Sequence, residues 1–103
     1  MRHTLDFAAI NSAALLVLPA LCARWMPRGK RIGHEYVAKN PTRVDKRAGS
    51  FKVNLQTGRW ADFATGHKGG DAISLAAYLF ELRQSEAARR LARALSLSGV
   101  RDE

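Results

Sequence analysis

Residues 50–79 read SFKVNLQTGRWADFATGHKGGDAISLAAYL, and the periodicities inside this stretch decide the fold. Phe51, Val53 and Leu55 alternate with Lys52 and Asn54, the period-two pattern of a strand with one buried face. Residues 56–58, QTG, are short enough for a hairpin connection, with Gly58 supplying a positive φ. Residues 59–64, RWADFA, then return as the next strand. A glycine-rich turn, TGHKGGD, follows, in which Gly66, Gly69 and Gly70 permit a sharp reversal. Asp71 closes the turn with the residue type that caps a helix, here an amphipathic one over DAISLAAYLFEL.

Upstream, residues 40–49, NPTRVDKRAG, predict a loop that Asn40 and Pro41 open and that Arg43, Lys46 and Arg47 make strongly basic. Residues 31–39, RIGHEYVAK, read as a single strand with aromatic and β-branched members. Ahead of it, Thr4 is placed to cap a helix whose first turn holds Asp6. Phe7, Ile10, Ala14, Val17 and Leu21 form one apolar stripe on that helix, and Leu15, Leu18, Cys22 and Trp25 form a second beside it. Pro19 lacks an amide hydrogen and clashes with the preceding turn, so the helix breaks there and Pro19 opens a second, shorter one. Pro27 and Gly29 end it.

Downstream, Ser85 is the expected cap of a last helix, EAARRLARALSL. Ala88, Leu91, Ala92 and Leu95 face the core and Arg89, Arg90 and Arg93 the opposite side. The expected fold is therefore α+β and one domain over residues 1–103. An apolar helical lead (1–28) precedes a small antiparallel sheet of about three strands (31–64) and a helical pair (71–97).

An apolar fraction of 47% and a charged fraction of 25% are those of a globular chain. The formal charge of +8 and pI near 10.6 favour polyanionic partners, nucleic acid ahead of anionic membrane. Cys22 is the only cysteine, which rules out an internal disulfide and fits a reducing, cytoplasmic setting. His3, His34, His67 and Cys22 are scattered singly, without the paired spacing of a zinc site, so neither metal nor cofactor is expected. The first 25 residues loosely resemble a secretory leader. Asp6 and Asn11 interrupt them, no small-x-small site precedes a polar start, and the apolar run is too short to span a membrane.

Catalysis would need clustered carboxylates or a nucleophile beside a base, and the pattern offers neither. The turn TGHKGGD is no nucleotide loop, because Lys68 precedes two glycines rather than a Ser or Thr that starts the helix. Asp71 would also repel a phosphate from the helix N-terminus. The sheet is the better candidate. With Phe51, Val53 and Leu55 inward, Lys52 and Asn54 point away from the core, and either Arg59 or Trp60 shares that outer face. An aromatic ring among basic residues is the chemistry of single-strand binding, in which charge follows the backbone and the ring stacks on a base. The alternation along RWADFA leaves open whether Trp60 is that ring or part of the core. The candidate DNA-binding set is Arg43, Lys46, Arg47, Lys52, Asn54, Arg59 and Trp60, with Lys68, and His67 beside it, at the loop tip.

Three segments, EYVAKNPTR (35–43), residues 49–79 and AARRLARAL (87–95), resemble the N-terminal domain of phage- and plasmid-type DNA primases. More distantly they resemble the zinc-ribbon domain of bacterial primases. In that family a Phe-x-Val strand precedes a hairpin, a Cys-x-x-Cys turn and a Gly-Asp that starts a helix; this chain keeps the order across roughly residues 33–96. It lacks the cysteines: residues 60–69 contain none, and only His34 stands where the first ligand pair would be. The resemblance thus implies a metal-free variant with apolar packing around Trp60 and Phe63 in place of the zinc. It implies contact with single-stranded template DNA, as an accessory to a separate polymerase or helicase protein whose acidic cluster this chain does not carry. The other reading of the residues is a protein-interaction module that docks through its apolar first helix on a replication partner or on itself.

Overall fold

A computed structural model describes residues 5–42 and 50–95. It is α+β, with four helices and a five-stranded sheet among those residues. Helix α1 (Phe7–Leu16) starts at Asp6, whose carboxylate accepts from the Ala9 amide at 3.0 Å. Asp6 is thus the cap that the sequence places in the first turn; Thr4 lies outside the described residues. Helix α2 (Leu18–Trp25) carries Pro19 in its first turn, and the two axes meet at Val17 with a bend of 84°. The missing Pro19 amide and the clash of its ring with the turn before it account for the bend. Among the described residues no single helix is long and apolar enough to cross a membrane.

The sheet is an antiparallel meander in the order β1 to β5. Residues 31–39 are not one strand: β1 (Lys30–Ile32) and β2 (Glu35–Ala38) form a hairpin around Gly33 and His34. Gly33 takes φ +61°, a left-handed conformation that side chains disfavour, and so turns what aromatic and β-branched content reads as a continuous strand. Strand β3 (Phe51–Asn54) and Gly58, at φ +84°, follow the expected hairpin. Strand β4 shortens to Trp60–Asp62, and the glycine turn itself contributes β5 (Lys68–Gly69), pairing with β4.

Helix α3 (Ala72–Phe80) begins at Asp71, which accepts from the Ser74 amide at 2.8 Å while the Ser74 hydroxyl reaches back to the Asp71 amide. This reciprocal arrangement satisfies two backbone donors at the helix start. A further donor, the Ile73 amide, is satisfied from α1 by the Asn11 side chain at 2.9 Å. Helix α4 (Gln84–Ala94) follows Arg83 with no side-chain cap, so Ser85 lies in its first turn and does not start it. Its capping geometry matters little, because Ala87, Ala88, Leu91 and Ala92 are all buried and packing holds the helix.

All four helices belong to one core on one face of the sheet. Ile10, Ala14, Leu18, Leu21 and Cys22 are buried with Leu75, Ala76 and Leu91. Phe7 and Val17, placed on the same stripe by spacing, remain exposed. The inward sheet residues are Tyr36, Ala38, Phe51, Val53, Trp60 and Asp62. Tyr36 also donates its hydroxyl to the Met26 carbonyl at 2.7 Å, tying the sheet to the end of α2.

Candidate nucleic-acid interface

Register fixes what the outer face of the sheet displays. Lys30 pairs with Val37, Val37 with Lys52, Lys52 with Ala61, and Ala61 with Lys68. Residues directly opposite on antiparallel strands share a face, so three lysines lie in one row across five strands. The neighbouring row holds Ile32, Glu35 and Asn54. On β4 the inward residues are Trp60 and Asp62, which turns Arg59, Ala61 and Phe63 outward. Ala61 has only a methyl group between the two long lysines beside it. The result is a shallow concavity of about 640 Å³ walled by Lys52, Lys68, Arg59, Asn54 and Phe63, with Glu35 at its margin.

Four of the predicted residues, Lys52, Asn54, Arg59 and Lys68, are therefore brought together on one surface. Arg43, Lys46 and Arg47 lie outside the described residues. Trp60 is corrected: it is 5% exposed and reaches the concavity only at its floor. Its ring packs against Phe51 and Tyr78 with centroids 5.7 and 4.7 Å away, and its Nε1–H donates to the Ser74 hydroxyl at 3.0 Å. A buried indole needs such a partner, and α3 provides it.

The exposed ring is Phe63, 70% accessible, with Lys52 Nζ 5.7 Å from its centroid. The resemblance implied apolar packing for Phe63 together with Trp60. The available signal was parity: Phe63 lies three residues from Trp60 along an alternating segment, so the two rings cannot share a face.

The loops equated with metal-binding segments are joined by polar contacts, not by packing of Trp60 against Phe63. Asn40 Nδ2 donates to Asp62 Oδ2 at 2.8 Å and to Tyr78 Oη at 2.7 Å. Asn40 Oδ1 accepts from the Thr42 amide and hydroxyl, and Asp62 Oδ1 from the Ala64 amide. His67 Nδ1 sits 2.9 Å from Tyr78 Oη. Asn40 and Asp62 are fully buried, where hydrogen bonds hold more strongly than in water. This network fixes the start of the basic loop and the tip that carries Lys68 relative to the sheet.

Chemically the concavity offers three cations, one amide, one exposed aromatic face and one carboxylate, that of Glu35. Among the described residues no three His, Cys, Asp or Glu side chains converge. Burial pushes the Cys22 thiol up to about 12, which leaves it protonated and inert at neutral pH. The chain matches no family model, and no curated protein matches it.

Proposed function

We propose that this domain is a non-catalytic DNA-binding module of a mobile-element replication system, and that it holds single-stranded template through the outer face of its sheet. The observation that carries the reading is the juxtaposition of exposed Phe63 with Lys52, Arg59 and Lys68 around the small residue Ala61. An unpaired base has room to lie over Ala61 and stack on Phe63, while the flanking cations meet the phosphates. In a duplex the bases are stacked and paired, so such a ring has nothing to receive. The assignment to primase-type replication comes from the resemblance of residues 33–96. In that setting the domain assists a separate primase or helicase protein in the cytoplasm.

The alternative, docking through the apolar stripe of the first helix, has less surface to use. Of that stripe, Ile10, Ala14 and Leu21 are buried within the domain's own core, which leaves Phe7 and Val17 exposed.

The test is fluorescence anisotropy of a labelled single strand with the full chain at two salt concentrations. Four cations on the face (Lys30, Lys52, Arg59 and Lys68) would give a log–log salt slope of about −3 if each met a phosphate. A fourfold rise in salt then weakens binding by roughly fifty-fold. Absence of binding at low salt overturns the proposal, and so does equal affinity for a duplex of the same length.

A further inference from the structure

On the helical side of the molecule, opposite the sheet surface, α2, α3 and α4 leave a groove of about 430 Å³. Its floor is apolar, with Leu21, Ala76 and Leu91. Trp25 and Phe80 stand at its mouth, ring to ring in an edge-on contact with centroids 5.8 Å apart. Phe80 is 49% exposed, at the last turn of α3, where Glu81 adopts a left-handed conformation and turns the chain away. Trp25 also walls a second concavity of about 250 Å³, which runs past Pro27 to Pro41. The two hollows share Trp25 as a wall and lie side by side along the end of α2.

The charge of these hollows is one-sided. Arg24 and Arg90 line the first hollow and Arg28 and Lys39 the second, and among the described residues neither is lined by an acid. Glu81 adjoins the lining residues Phe80 and Leu82 in sequence, and Arg90 is already engaged, with Arg89, by Glu86, at 2.9 and 3.1 Å. The Glu86 carboxyl lies below the usual range because Arg90 hydrogen-bonds to it. A hollow that combines an aromatic mouth, an aliphatic floor and a cationic rim is complementary to a segment with one large apolar anchor flanked by carboxylates. A second copy of this basic chain would bring mainly like charge to the rim.

We infer that the α2–α3–α4 hollow is a docking site for an acidic peptide segment of a partner protein, with an aromatic or large aliphatic side chain seated over Leu21, Ala76 and Leu91 against the Trp25–Phe80 pair and carboxylates meeting Arg24 and, past Trp25, Arg28. This surface is distinct from the sheet concavity, so the domain can hold DNA and partner at once.

The test is selection of short random displayed peptides on the full chain, followed by titration of synthetic versions while the indole resonances of Trp25 and Trp60 are followed by NMR. The expected peptides combine an aromatic or large aliphatic residue with several acids, and they shift Trp25 and not buried Trp60. Arg24→Glu should weaken them by about tenfold or more. Phe80→Ala should weaken them similarly, and Lys52→Glu on the opposite face should leave them unchanged. Three outcomes overturn the inference: no enriched peptide, enriched peptides without acids, or equal loss from Lys52→Glu, which would mean unspecific attraction to a basic protein. Concentration-dependent dimerisation abolished by Arg24→Glu would assign the hollow to a second copy and overturn the inference as well. None of these results depends on whether the sheet face binds DNA.

Discussion

Phe63→Ala separates binding from folding, because Phe63 does little inside the domain. A phenylalanine side chain carries roughly 200 Å² of surface. With 70% of the residue exposed, roughly 60 Å² is covered, and about 25 cal/mol per Å² sets an upper bound near 1.5 kcal/mol on what folding gains from it. The Lys52 ammonium over the ring adds about 0.5 kcal/mol at such an exposed site. The unfolded chain also covers part of this surface, so the expected loss of stability is about 1 kcal/mol. If the ring stacks on a base, its removal costs binding about 1–3 kcal/mol, or roughly five- to 150-fold in Kd. The assay pairs a urea titration with anisotropy on a thymine-rich oligonucleotide at low salt. Trp60→Ala should do the reverse and destabilise by about 3–5 kcal/mol, since it empties a stacked core position. If Phe63→Ala folds normally and binds within about twofold of the unmodified chain, the stacking argument is wrong.

Three further outcomes follow from the geometry. Lys52→Glu combined with Lys68→Glu should flatten the salt slope by about 1.4 if both lysines meet phosphates, while the urea midpoint barely moves; an unchanged slope places the phosphates elsewhere. Gly69→Ala would set a methyl carbon 2.5 Å from both Ser74 Oγ and Trp60 Nε1, with the indole fixed on the other side by Tyr78. Overpacking plus a weakened indole hydrogen bond should cost about 2–4 kcal/mol in urea unfolding, and a loss below about 0.5 kcal/mol would contradict the close approach. Asn11→Ala leaves the Ile73 amide without its acceptor and should destabilise by about 1–2 kcal/mol in the same assay, whereas a neutral result would mean that α1 does not cap α3.

What could be read from the sequence was whatever a local pattern determines. The strand at Phe51–Asn54, the helix start at Asp71 and the break at Pro19 each rest on adjacent residues, and the structure has all three. The errors came where one residue's conformation overrides a pattern. Gly33 folds a nine-residue segment of strand-forming residues into a hairpin, and the two residues of β5 are a strand only because β4 lies beside them to pair with. The site behaved likewise. Lys52, Asn54, Arg59 and Lys68 came from polarity and composition, and they do share a surface. The alternation left Trp60 open between core and surface, and α3, distant in sequence, settles it by offering Ser74 and Tyr78 to the indole, while Phe63, which the resemblance placed in the packing, is exposed. A tryptophan between a basic and an acidic residue can face either way by composition. A partner for its N–H on the packed side decides the matter, and that partner lies fourteen residues downstream, on the helix that the glycine turn sets against the sheet.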